Sequence, residues 1–147
     1  MLFSVHATAA GAVGEYVRNP ILAFLLGIII HFILDSIPHY DTTDDGKLTP
    51  RQLAFVGIDF IIFVLLLIFV IKPGFSWLSP FWWGAFGGVL PDLLDNVPFW
   101  QKAFRRTKFG KKFHHFHEKI QSIKIGPMPG ILIQILFLAI SVYFLIK

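Results

Sequence analysis

A run of apolar residues from Leu53 to Ile71 contains a single charged residue, Asp59, and lies between Arg51 and Lys72. About twenty helical residues cross the ~30 Å apolar core of a bilayer at ~1.5 Å per residue. The run therefore predicts a transmembrane helix. Over the whole chain of 147 residues, 55% are hydrophobic and 15% are charged, which is too apolar for an ordinary soluble domain. The sequence predicts an integral membrane protein.

Four further apolar segments extend this prediction to an all-α bundle of five transmembrane helices, in a single domain covering residues 1–147. The segments are Leu2 to Val17, Pro20 to Ile37, Ser76 to Leu94 and Ile125 to Ile146. Prolines and glycines at the start of the last segment predict that regular helix begins only at about Ile131. The first segment has no basic start, which disfavours a signal peptide. Its small residues Gly11 and Gly14 predict close packing against a neighbouring helix.

The distribution of positive charge predicts the orientation of the chain. Of the 13 Lys and Arg residues, eight lie between Lys102 and Lys124, and a short basic loop of this kind, about 101–125, stays in the cytoplasm. Five spans then place the N-terminus inside and the C-terminus outside a membrane, which we expect to be a prokaryotic cytoplasmic membrane. Membrane lipids with anionic headgroups explain the basic loop better than nucleic acid, so no nucleic-acid partner is predicted.

Ionisable residues interrupt the apolar segments in five groups. Burying such residues in hydrocarbon is costly, so intramembrane carboxylates and imidazoles usually mark a polar site. The predicted topology brings these groups towards the cytoplasmic ends of their segments, where one cavity can collect them. Because the chain has no Cys, a His and Asp site is predicted to bind a hard or borderline divalent metal. The groups are His6; His31, Asp35, His39 and Asp41; Asp59; Asp92 and Asp95; and His114, His115 and His117.

The spacing of these residues supports a shared site. His31 and Asp35 are four residues apart, and therefore share one face of a helix. Asp92 and Asp95 are three apart, and two neighbouring carboxylates repel each other unless a cation or a proton lies between them. The predicted metal ligands are His6, His31, Asp35, Asp92, Asp95 and His117. Pro38 ends the second helix and lets the following residues fold back, so His39 and Asp41 are the predicted catalytic proton acceptors.

Each of these signals also has a purely structural interpretation. A single membrane His or Asp is often hydrogen-bonded to a neighbouring helix, and Asp59 in particular fits that role. The His114 to His117 group lies among Lys and Phe and fits a headgroup-binding surface. Asp41, Asp44 and Asp45 lack the alternating spacing of a calcium loop, and their pattern is more typical of a solvated acidic turn. The tryptophans read as interfacial anchors: Trp77, Trp82, Trp83 and Trp100.

Three short motifs resemble the YdjM-like, LexA-regulated membrane proteins, a family predicted to be metal-dependent hydrolases. They are Pro91-Asp92-Leu93-Leu94-Asp95 after Gly87-Gly88-Val89-Leu90, the helix end His31-Phe32-Ile33-Leu34-Asp35, and His6 before a helix of small residues. The motif order departs from the family pattern, because the His31 to Asp35 pair comes first. Gln121-Ser122 also stands where the family has His-Ser, which leaves His117 as the ligand from this loop. The resemblance implies a bound metal.

Together these observations predict a membrane-embedded, metal-dependent hydrolase that acts on a phosphoester or related bond of a lipid-like substrate. Zinc is the first choice of divalent metal, with manganese or magnesium as alternatives. Two other functions stay open: a metal-ion or proton-coupled transporter, and a non-catalytic membrane protein with a structural metal or a polar core. Five short helices enclose a cavity poorly, so a homo-oligomer is compatible with the sequence. The predicted substrate-binding residues are Arg105, Arg106, Lys111, Lys112 and His114.

Overall fold

The computed structural model describes residues 1–40, 49–70, 76 and 78–147, without the side chain of Arg51. In these ranges the regular secondary structure is α-helical, and one isolated bridge joins His39 to Lys124. The all-α class predicted from the sequence is therefore confirmed for the described residues. Predictions that concern Asp41, Asp44, Asp45 and Trp77 fall outside them. The helices are α1 (Phe3–Val17), α2 (Pro20–Ser36), α3 (Pro50–Val70), α4 (Pro80–Asn96), α5 (Gln101–Arg106), α6 (Lys108–Ile120) and α7 (Pro127–Ile146).

Proline and a capping side chain begin two of the apolar helices. Pro20 opens α2, and the side chain of Asn19 accepts a hydrogen bond from the first turn. Pro80 opens α4, and Ser79 caps that helix in the same way. The first turn has no intrahelical acceptor for its N–H groups, so proline costs nothing there. For the same reason α7 begins at Pro127, and the prediction of a start near Ile131 is wrong.

Helices α1, α2 and α4 pack with their backbones in direct contact, because glycines lie where they meet. A Cβ atom added at Gly14 would lie 2.5 Å from the carbonyl oxygen of Pro80, and one added at Gly11 would lie 2.7 Å from an aromatic carbon of α4. These contacts confirm the predicted close packing of α1. A Cβ atom at Gly27 of α2 would overlap the carbonyl group of Gly84. The three helices therefore pack closely, with little room between them.

A cluster of buried apolar side chains lies where α1, α3 and α4 meet. Phe81, near the start of α4, is fully buried in it. The ionisable residues of α4 lie at its other end. Along α4, the apolar core therefore comes first and the polar residues follow it towards the end of the helix. The members of the core are Ala7, Phe63, Phe81, Ala85 and Val89.

Among the described residues, two helices are long and apolar enough to cross a membrane: Gln52–Val70 within α3, and Pro127–Ile146, which is α7. In each, 17% of the most apolar window is buried inside the protein, and Ile68 of α3 is 70% exposed. The core helix of a soluble protein would bury most of such a surface. Helix α2 is also apolar but shorter. The outward-facing apolar side chains of α3 and α7 are compatible with a membrane protein.

Polar side chains tie α3 and α7 to the beginning of α1. The carboxylate of Asp59 accepts a hydrogen bond from the backbone N–H of Ser4, at 3.3 and 3.4 Å to its two oxygens. Gln134 of α7 accepts from the N–H of Leu2 at 2.7 Å and donates to the carbonyl oxygen of Tyr40 at 3.1 Å. Asp59 therefore acts as an interhelical hydrogen-bond partner, which is the structural interpretation considered for it above. These bonds hold the start of α1 in place.

Candidate metal centre

Four side chains from α2, α4 and α6 form a cluster that could hold a metal ion. They are His31, Asp35, Asp92 and His117, and one ligand atom from each lies within 4.8 Å of the others. His31, Asp35 and His117 are buried. The side chain of Asp92 is 26% exposed, so the cluster reaches the surface on this side.

The distances within the cluster suit a single ion. The Nε2 atoms of His31 and His117 are 3.1 Å apart, and each lies 3.1 Å from Oδ2 of Asp35. Oδ1 of Asp92 lies 4.0 Å from Nε2 of His31 and 3.5 Å from Nε2 of His117. Tetrahedral zinc with bonds of about 2.0–2.1 Å separates its ligand atoms by about 3.3 Å. The cluster could therefore close around an ion with small side-chain adjustments.

The hydrogen bond that Nδ1 of each imidazole donates determines that Nε2 is the nitrogen facing the cluster. Nδ1 of His31 donates to the carbonyl oxygen of Gly88 at 2.7 Å, and Nδ1 of His117 donates to Oδ2 of Asp95 at 3.2 Å. With Nδ1 carrying the proton, Nε2 of a neutral ring presents its lone pair to the cluster. Two lone pairs at 3.1 Å repel each other unless a proton or a cation lies between them. Metal-binding histidines are typically oriented by such a bond from the other nitrogen.

The charge around His117 favours a cation. Burial disfavours the charged imidazolium, but hydrogen bonds to Asp35 and Asp95, with the charge of Asp92, outweigh burial and raise the pKa of His117 to about 9. Without a metal, a proton therefore occupies His117 at neutral pH. The same carboxylates attract a divalent ion, which has to displace that proton.

Asp95 lies behind His117 and faces away from the centre of the cluster. Its Oδ1 accepts from Nε of Arg105 at 2.8 Å, and its Oδ2 lies 2.9 Å from Nδ1 of His114 as well as 3.2 Å from Nδ1 of His117. Both oxygens of Asp95 are thus engaged by side chains of α5 and α6. Asp95 is expected from its spacing to be a metal ligand and Arg105 to be a substrate contact, whereas the structure joins them in the support of His117.

His6 lies beside the cluster without a well-directed partner. Its Nε2 is 3.1 Å from Oδ1 of Asp35 and 3.9 Å from Oδ2 of Asp92, and its ring stacks on His31 at 4.2 Å between centroids. The ring is fully buried, yet among the described residues neither of its nitrogens has a hydrogen bond of acceptable geometry. The α-amino nitrogen of Met1 lies 3.0 Å from the same Oδ1 of Asp35. His6, predicted as a metal ligand, therefore lies next to the four-residue cluster but is not one of its members.

Two further polar side chains border the cluster. Nδ1 of His39 donates to the carbonyl oxygen of Ile37 at 2.8 Å, and its Nε2 lies 3.9 Å from Oδ1 of Asp35. The side-chain amide of Gln121 donates to Oδ2 of Asp35 and lies 3.1 Å from Nε2 of His117. The sequence analysis treats Gln121 only as a departure from a family pattern. Its position, four residues after His117 and so on the same helix face, is the signal that predicts its place at the site.

The remaining predicted substrate-binding residues lie on the outside of α5 and α6. Arg106, Lys111 and Lys112 are exposed, and so are Phe109 and Phe116. The segment predicted as a basic loop is thus mostly helical, with basic and aromatic side chains on its surface. Such a surface suits the headgroup region of a membrane.

Comparisons of the chain with protein-family models, with curated proteins and with solved structures find no match. The resemblance to the YdjM-like family therefore stays a prediction. The fold and the site themselves define an all-α protein with two helices of membrane-spanning length and a buried His and Asp cluster that could hold a metal ion.

Proposed function

We propose that this chain is a membrane-embedded, metal-dependent hydrolase that acts on a phosphoester or related bond of a lipid-like substrate. The observation that carries the proposal is the pair of Nε2 atoms of His31 and His117, held 3.1 Å apart beside Asp35. The Nδ1–H of each ring points away from the other ring. A proton or a metal ion therefore has to occupy the space between the two Nε2 atoms, and the carboxylates around them attract a divalent ion.

The donor set favours zinc. Two imidazoles and two carboxylates, without thiolates, suit zinc first, whereas manganese and magnesium prefer oxygen-rich sites. Asp92 leaves one side of the cluster open to solvent. Structural zinc sites are closed by protein ligands, and catalytic ones keep an open position. The partial exposure of Asp92 gives water and substrate access to this side of the cluster, which a catalytic centre requires.

The membrane arrangement that we propose has five spans, α1 to α4 and α7, with the metal centre near the cytoplasmic face. Helices α1, α2 and α4 have 15, 17 and 17 residues, so each is about 22–26 Å long. These lengths fall short of a ~30 Å core. The proposal is supported by the apolar outer surface of α3 and α7 and by the basic segment between α4 and α7.

The chemistry follows from the positions of the residues. A divalent ion held by the cluster would lower the pKa of water and polarise a phosphoryl oxygen. His39, whose Nδ1 donates to a carbonyl oxygen, has Nε2 as its basic nitrogen and is placed to accept a proton at the edge of the site. Asp95 and Arg105 keep His117 oriented. Lys111 and Lys112, on the outer surface of α6, would raise the local concentration of anionic headgroups on this side of the membrane.

Metal content in a matched pair of histidine variants tests the proposal. His117 belongs to the cluster, whereas His115, two residues earlier on α6, is exposed. We expect about one zinc per chain, by elemental analysis of detergent-purified protein, in the wild type and in His115→Ala, and a loss in His117→Ala. Equal metal in both variants, or none in the wild type, would refute the metal centre.

Activity separates the hydrolase from the transporter. Zinc-loaded protein in liposomes that contain phosphatidic acid is expected to release phosphate, and His117→Ala is expected to release none. Proteoliposomes loaded with a zinc-sensitive dye report flux in the same preparation. Zinc flux without hydrolysis of phosphorylated lipids would support the transporter and contradict the hydrolase.

A further inference from the structure

A cavity of about 230 Å³ lies next to the metal cluster. It is lined by the start of α1, the first turns of α3 and the end of α4, and most of the side chains that line it are apolar. Representative lining residues are Phe3, Phe55, Val56, Leu93 and Val97.

The polar residues of this cavity lead to the metal cluster. Asp92 lines the cavity and is also a member of the cluster, and Gln121 lines it while donating to Asp35. Asp59 also borders the cavity, but its carboxylate accepts the N–H of Ser4. The cavity is thus amphipathic, with an apolar body and a polar end at the candidate metal centre.

The apolar side of the cavity continues into the outer surface of α3. Leu53 and Val56 line the cavity and are 60% and 45% exposed. The same helix carries exposed apolar side chains along its length and is one of the two helices able to cross a membrane. In a bilayer, this opening faces lipid.

We propose that this cavity binds one hydrocarbon chain of a membrane lipid whose phosphate headgroup lies at Asp92 and His117. This inference rests on the proposed function and specifies its substrate class. An apolar pocket that ends in a few polar groups binds amphipathic molecules, and transfer of a hydrocarbon chain into it buries apolar surface. A water-soluble phosphate would leave the apolar lining unused. Exposed Lys111 and Lys112, on the outer surface of the helix that carries His117, attract anionic headgroups to this side of the protein.

A photoreactive lipid tests this site. The probe is dodecyl phosphate with a diazirine at the chain end, added to zinc-loaded protein in phosphatidylcholine nanodiscs. We expect cross-links, mapped by mass spectrometry, on the α3 segment around Phe55 and at Phe3. An excess of unlabelled dodecyl phosphate is expected to abolish the labelling, and inorganic phosphate is expected to leave it unchanged. Labelling confined to the outer surface of α7, or abolished equally by inorganic phosphate, would overturn the inference.

Two valines of α3 provide a matched control. Val56 lines the cavity, whereas Val64 lies two turns further on and is 37% exposed on the same helix. Val56→Trp places a ring in the cavity and is expected to lower labelling at least about fivefold, while Val64→Trp keeps it. Leu93→Trp, on the α4 wall of the cavity, is expected to lower labelling in the same way as Val56→Trp. It replaces Val56→Trp as the test variant if that variant does not fold.

Metal analysis of the same samples separates the two proposals. Labelling that persists in Val56→Trp and Leu93→Trp, with zinc still bound, would overturn the chain-binding cavity and leave the metal centre intact. Cavity labelling in a wild-type protein that binds no metal would support the lipid site and refute the metal-dependent function.

Discussion

At the scale of single residues, Asp95 acts on the metal centre through His117. Its carboxylate accepts Nδ1–H of His117 and is itself held by Arg105. Removing such a partner typically costs 10–100-fold in metal affinity, about 1–3 kcal/mol, because the ligand loses its orientation. We expect Asp95→Asn to weaken zinc binding by about this factor, measured by competition with a chelating dye. Glu118→Gln, on exposed α6 surface near His114, is the control and is expected to bind zinc normally. Unchanged affinity in Asp95→Asn would contradict the role assigned to Asp95.

His117 also makes zinc binding dependent on pH. Its pKa is raised to about 9 in the metal-free protein, so below that pH each bound ion displaces a proton from it. Apparent zinc affinity is therefore expected to fall by about tenfold per pH unit as the pH is lowered from 8 to 7. Calorimetry in two buffers of different ionisation enthalpy measures the released proton. Binding without proton release at pH 7 would show that His117 is not a ligand.

The residues of the site differ in how far the sequence predicts them. His31 and Asp35 follow from their spacing on one helix face, and Asp92 follows from its place in an apolar segment. The role of Asp95 does not follow, because it depends on Arg105 and His114, which reach it only when α5 and α6 fold over the end of α4. The orientation of each imidazole likewise depends on a distant partner, such as the carbonyl group of Gly88 for His31.

At the scale of helices, two glycines in apolar segments have opposite environments. A Cβ atom at Gly27 would overlap the α4 backbone, whereas one at Gly57 of α3 would meet nothing within 4 Å. We expect Gly27→Ala to destabilise the protein by about 1–3 kcal/mol and to lower metal content, because α2 and α4 must separate. Gly57→Ala is expected to be neutral or stabilising, since alanine favours helix. Thermal unfolding in detergent measures both, and equal midpoints would contradict the glycine-mediated contact.

Helix positions are well predicted where an apolar run and a proline coincide, as at Pro20 and Pro80. The concentration of Lys and Arg in the basic segment predicts a cytoplasmic loop, although a helical signal is also present there. Thr107 caps α6 by accepting from the N–H of Gly110 at 2.9 Å, and Phe109, Phe113 and Phe116 recur at helical spacing. The charged residues lie on the outer face of α6, and the phenylalanines form its apolar face.

At the scale of the whole molecule, convergence of the ionisable groups follows from alternating helix directions. His6 lies at the start of α1, His31 and Asp35 at the end of α2, and Asp92 at the end of α4. Helices that run up and down in turn place these ends at the same level. Burial of the remaining partners, such as Gln134 against the first residues of the chain, depends on packing that the sequence pattern does not specify.

The number of spans has a direct test, because the chain has no Cys and a single introduced thiol reports one position. Ser76 precedes α4, and Ser122 follows α6; both are exposed. If α4 crosses the membrane, Ser76→Cys is expected to react with an impermeant maleimide in intact cells, and Ser122→Cys only after permeabilisation. If α3 and α7 alone span, both positions lie on the same side and react alike. The basic residues between Lys102 and Lys124 predict a cytoplasmic Ser122 in both arrangements, so the reaction of Ser76→Cys decides the number of spans.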